Sequence, residues 1–149
     1  MKFVRFTLML GAFLWLPLMA ADFSTPQGAL QALERAYLTH DIEAAVAAKN
    51  FPYEAKAMLS DLKNVPKPEP DLIQKTAEVL ELSFRKHIKE NGFPKMTGIR
   101  SRVVATKQLT PDLVELTEEF VFPDNYISHE TVYAAKSGEH WGLVILPGK

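Results

Sequence analysis

Three observations predict an α+β fold. Helical periodicity fills the chain from about residue 24 to residue 91, period-two alternation takes over from Gly98, and turn signals separate the alternating runs. Helices first and a meander of strands afterwards give N-terminal helices packed on one face of a curved antiparallel sheet.

Each element has its own signals. Ser24 or Thr25 caps the first helix, with Pro26 in its first turn and Gln27 as the capping-box partner of Ser24. Leu30, Leu33 and Tyr37 then form an apolar stripe. Asp41 caps a second, short helix, "IEAAVAAK". A third, broken helical piece, "NFPYEAKAMLSDL", has Pro52 near its start and Phe51, Ala55, Met58, Leu59 and Leu62 on its apolar side. "KNVPKPEP" holds three prolines between Pro66 and Pro70, and such a run forms an extended connector within one domain.

Asp71 is the expected cap of the longest helix, which runs to about Glu90. Ile73, Ala77, Leu80, Phe84 and Ile88 lie along one side, and Glu81 and Arg85 form an i,i+4 pair. Asn91-Gly92 supplies the stop, and Pro94 prevents continuation. Four strands follow in "IRSRVVATKQL", "DLVELTEEFVFP", "SHETVYAAK" and "WGLVIL", with hairpin connections at Thr110–Asp112 and Lys136–Glu139.

Residues 1–21 stand apart from this domain. "MKFVR" is a basic start, "FTLMLGAFLWLPLM" an apolar run and "AA" a small-residue exit, the anatomy of a secretory signal peptide. The run is short for a membrane span, which needs roughly 20 residues. Cleavage after Ala20 or Ala21 leaves residues 22–149 as a single domain with no stable membrane anchor. An uncleaved anchor is the alternative.

The chain has no cysteine, which removes disulfides, thiol catalysis, Cys-rich zinc sites and a lipid-modified cysteine. The roughly 128 residues after the leader can supply a core without them. A periplasmic location fits best, with secretion second. Removing the leader leaves 15 basic against 18 acidic side chains, a net charge of −3 and no basic footprint for nucleic acid.

The order of these elements, with "TPQGALQALERAYLTHD" at the start and "AKSGEHWGLVIL" at the end, resembles the nuclear transport factor 2-like (SnoaL-like) superfamily. Asp41 and the Gly138–Ile145 segment match the recurrent helix-ending aspartate and the hairpin leading into a Trp-x-hydrophobic run. One departure is His40 in place of the usual small residue. The resemblance implies a cone-shaped domain with a pocket between helices and inner sheet face. It implies no single chemistry, since members include isomerases, dehydratases, ligand binders and toxin-immunity proteins.

Glu118 is the first candidate for chemistry. It falls on the strand face of Val114, Leu116, Phe120 and Phe122, and a carboxylate among apolar neighbours has a raised pKa and suits acid/base work. The alternatives are an outward turn at a bulge, or a pair with Arg100 or Arg102. Glu119, with Glu115 and Thr117, reads as solvated. His40-Asp41 is a second candidate, although adjacent side chains point apart and Asp41 already serves as a helix cap. Tyr37, Tyr53, Tyr133 and Trp141 are candidate ligand-contacting aromatics, with core packing as the alternative.

His40, His87, His129 and His140 are scattered, with no HxH or HExxH spacing, so no metal or cofactor is expected. GxSxG, a glycine-rich phosphate loop and CxxC are absent. These readings favour an exported, non-catalytic module that binds a small molecule or a protein partner, an immunity protein being one version. The alternative is a small cofactor-free isomerase or dehydratase-like enzyme, and a homodimer is a further option, because sheets of this family often pair.

Overall fold

The computed structural model describes residues 20–62 and 67–149. The leader expectation falls on residues 1–19 and, like residues 63–66 of the proline-rich connector, lies outside the described residues.

Helix α1 (Pro26–Thr39) starts where Thr25, in extended conformation, accepts a hydrogen bond from the Gly28 amide at 3.0 Å. The expected Ser24–Gln27 capping box does not form. Thr25 directly precedes Pro26 and takes the cap position, so Ser24 bonds Asp22 instead and Gln27 reaches the Thr106 hydroxyl. The helix stops at His40, whose left-handed backbone (φ 54°) turns its amide back to the Ala36 and Tyr37 carbonyls. Asp41 then caps α2 (Ile42–Ala47), its Oδ1 accepting from the Ala44 amide at 3.0 Å.

Helix α3 (Phe51–Asp61) begins at a buried asparagine. Asn50 Oδ1 accepts from the Tyr53 amide, while its Nδ2 donates to the Ala135 carbonyl and the Ser137 hydroxyl. Helix α4 (Pro70–Asn91) starts one residue before the expected cap. Glu69 holds the cap position without a side-chain bond, and Asp71 sits in the first turn, where its charge suits the helix dipole. Gly92, at φ 79°, ends it as the Asn91-Gly92 signal predicts. The apolar side of α4 packs on α3 through Ile73, Ala77, Leu80 and Phe84 against Phe51 and Ala55. Arg85 ties α4 to α2, reaching both Glu81 and Glu43.

Strands β1 (Arg100–Thr110), β2 (Leu113–Val121), β3 (Ile127–Ser137) and β4 (His140–Val144) form one antiparallel sheet in the order β1-β2-β3-β4. Between Val103 and Ala105 the register shifts, which bends β1. Helix α1 lies across the inner face. There Ala29 and Leu30 meet Val114, Leu116, Ala134, Trp141 and Leu143, and Leu116 has no exposed surface. The helices α3 and α4 form a hairpin of their own beside β4, with α3 making the sheet contact.

Residues 48–50 run alongside β4 and extend the sheet by one short parallel step. The Asn50 amide donates to the Leu143 carbonyl, and the Leu143 amide donates to the Ala48 carbonyl. Gly142 permits this approach: a Cβ there would lie 2.8 Å from the Lys49 carbonyl carbon and 2.9 Å from the Asn50 nitrogen. Neither atom belongs to a flexible side-chain end. Gly142→Ala is therefore expected to lower stability by about 2 kcal/mol, read from urea denaturation. A variant with unchanged midpoint would mean that the crossing separates without loss.

A carboxyl pair in an apolar cavity

The inward face of β2 changes character along its length. Val114 and Leu116 belong to the core, and two residues on the same side presents Glu118, which is 3% exposed. The sheet register sets Val103 on one side of Glu118 and Glu130 on the other. Helix α1 delivers a second carboxyl from above. Glu34 lies one turn past the core residue Leu30, so the same face that packs the helix carries it to the sheet.

Glu34 and Glu118 are within hydrogen-bonding contact, and the Ser101 hydroxyl on β1 donates to Glu34 Oε1. Burial is the largest influence on Glu118, followed by the hydrogen bond and negative charge of Glu34. Ser101 opposes them and Glu130 adds to them, with the net effect that the Glu118 pKa is pushed up to about 8. Two carboxyls in contact cannot both stay ionised at low cost, so the pair holds a proton at neutral pH. One oxygen of the pair, Glu118 Oε1, is buried and has no hydrogen-bond partner. An acceptor left in that condition forgoes about 1–3 kcal/mol.

This pair lines a cavity of about 370 Å³ between α1, the Pro94–Ile99 loop and the inner sheet face. Leu33, Met96, Ile99, Phe120 and Val132 make most of its wall apolar. Tyr37 lines it too, and burial raises the Tyr37 pKa. Lys95 stands on the exposed loop side. The chemistry available is that of a buried proton shared by two carboxyls, next to an oxygen that lacks a donor.

The other sequence candidates lie elsewhere. His40 is exposed, and its ring stacks on Phe93 with centroids 5.1 Å apart, at a surface depression formed with residues 91–97. The Asp41 carboxylate is occupied as a cap. Trp141 is in the core, Tyr53 is half-buried on α3, and the Tyr133 hydroxyl donates to Glu115. Glu119 departs from the solvated reading. Its side chain is held between Arg102 and His129, and the Arg102 hydrogen bond lowers its pKa. Arg102 is thereby engaged on the outer sheet face, away from Glu118.

Sequence reasoning missed Glu34, Ser101 and Glu130. Glu34 carried a signal, since position 34 falls on the stripe of Leu30, Leu33 and Tyr37. The other two depend on strand register, which no short motif encodes. A larger cavity of about 690 Å³ between α2, α3 and α4 has polar lining residues that are already paired: Gln74 with Glu78, Glu81 with Arg85 and Lys49 with Glu54. Among the described residues no group of three His, Cys, Asp or Glu could hold a metal ion, and no helix is long and apolar enough to cross a membrane.

Fold and cavity together define an α+β domain with a proton-sharing carboxyl pair beneath its first helix. No family model matches the chain, and no curated protein matches it significantly. One solved structure, from Campylobacter jejuni and described as an NTF2-like transpeptidase, is similar at 15% identity and a TM-score of 0.28, covering 66% of this chain and 94% of that one. A likeness that low carries nothing about chemistry.

Proposed function

We propose that the protein is an exported small-molecule-binding module of nuclear transport factor 2-like architecture, with its ligand in the cavity that holds Glu34 and Glu118. The observation that carries this reading is the unpartnered Glu118 Oε1, buried at the wall of a mostly apolar cavity. An exported location rests on the basic, apolar and small-residue order of residues 1–21. Native mass spectrometry of protein taken from its own host's periplasmic fraction is expected to find a retained small molecule. Val132→Trp, which fills the cavity, is expected to lose it. Protein that carries no retained mass, or that keeps it in Val132→Trp, would argue against this site.

A second reading follows from the shared proton. A protonated carboxyl beside a second carboxyl, facing an apolar cavity, suits a cofactor-free isomerase or dehydratase-like reaction. In that reading Glu118→Gln stops turnover of the bound molecule, whereas a binding module releases its ligand chemically unchanged.

A further inference from the structure

We propose that the cavity selects an aliphatic amine in its ammonium form, with the charged head on the Glu34–Glu118 pair and the hydrocarbon body along the wall of Leu33, Met96 and Ile99. The inference rests on the cavity being a small-molecule site and names the class of molecule it takes.

Donor and acceptor supply is the first argument. The pair offers four carboxyl oxygens, while Ser101 supplies one donor and the shared proton another. Glu118 Oε1 receives neither. A ligand that completes this set must bring hydrogens, and an ammonium group brings three. A carboxylate or phosphate ligand would bring only further acceptors.

Sign of charge is the second. The two charges acting on Glu118, those of Glu34 and Glu130, are both negative. The groups that face the pair are Glu34 and Tyr37 from α1, Lys95 from the loop, Ser101 from β1 and Glu130 from β3. Lys95 is the only cation among them, and it is exposed at the loop rather than set against the carboxyls. A cation placed at the pair therefore meets attraction from buried Glu118 and half-buried Glu34, where burial strengthens it, and a weaker attraction from exposed Glu130. The third argument is shape: the remaining wall is apolar, which accommodates a hydrocarbon chain and excludes a hydrated inorganic cation.

An ammonium head takes the place of the shared proton, so binding releases one proton from the pair. Affinity accordingly rises with pH until Glu118 is ionised, then falls when the amine itself loses its proton near pH 10.4.

The test is calorimetric titration of the full chain with hexylamine, 1-hexanol and hexanoate at pH 6 and pH 9. Hexylamine is expected to bind about tenfold or more tightly at pH 9 than at pH 6. Hexanol should bind about tenfold less tightly than the amine at pH 9 without pH dependence, and hexanoate should not bind. Glu118→Gln should weaken hexylamine about tenfold and remove its pH dependence while changing hexanol binding by a smaller factor, and Glu130→Gln should weaken the amine less than Glu118→Gln does. Equal binding of hexylamine and hexanol, or amine binding that ignores Glu118→Gln, overturns the proposal and leaves the cavity as a small-molecule site. Binding by none of the three overturns both.

Discussion

Wild-type protein is expected to melt about 10 °C lower at pH 9 than at pH 5, and Glu118→Gln to melt alike at both. The folded-state pKa of Glu118 is raised to about 8, above the ordinary 4.5 of the unfolded chain. Folding therefore binds a proton across that window. The stabilising contribution is fully present below pH 4.5, declines as pH rises, and is gone above about pH 8. At about 1.4 kcal/mol per pH unit the full window corresponds to at most about 5 kcal/mol, and adjustment of the pair reduces it to about 3.

Glutamine reproduces the protonated acid in shape and donates to Glu34 in the same way, but it cannot ionise. The variant should match wild type at pH 5 and exceed it at pH 9. Thermal melts across this range decide the matter: a flat wild-type profile, or an equal slope in Glu118→Gln, would show that the pair does not hold its proton through neutrality. Retained helical content of the variant at pH 5 controls for folding.

Asn50→Ala is expected to cost about 3 kcal/mol, read as a shift in the urea midpoint. Loss of the α3 cap accounts for about 1 kcal/mol. The rest comes from buried partners: Nδ2 bonds both the Ala135 carbonyl and the Ser137 hydroxyl, and alanine leaves them without a donor. Asn50→Asp separates the contributions. Aspartate keeps the acceptor for the Tyr53 amide but turns an acceptor toward the Ala135 carbonyl. It should be at least as destabilising as alanine; wild-type stability in Asn50→Asp would mean that the cap alone matters.

The α+β order was legible because local signals and global packing agree in this chain. The stripe of Ile73, Ala77, Leu80, Phe84 and Ile88 marks the α4 face, and the alternation around Val114 and Leu116 marks the inner side of β2. Asp41 was readable as a cap because capping is a local event. The cap misread was Asp71, where Glu69 takes the position, and of the two caps offered for α1, Thr25 forms while the Ser24–Gln27 box does not. Asn50 carried a readable signal too, an asparagine just before Phe51-Pro52, but its sheet contacts are with residues more than eighty positions away.

Half of the candidate site was legible for the same reason. Glu118 interrupts an apolar alternation, which period alone reveals. Its partner Glu34 comes from another element, and helix-to-sheet juxtaposition is a property of the folded chain. His40, prominent in sequence as a histidine beside an aspartate, turned out to be the left-handed residue between two helices, stacked on Phe93.

The parallel step between Lys49 and Leu143 also governs the order in which the molecule can assemble. These residues are separated by roughly ninety positions, and closing a loop of that length costs about 4 kcal/mol of chain entropy. The β3–β4 hairpin already pairs Leu143, a wall of the cavity as well as a core residue, with Ala134, so the cost falls on docking residues 48–50 against it. A chain emerging N-terminus first, from a ribosome or through a membrane, thus has its four helices in hand while the cavity still lacks a side. Arrival of residues 140–144 completes the sheet and adds Leu143 to the cavity wall, so the pocket gains its last side late in folding.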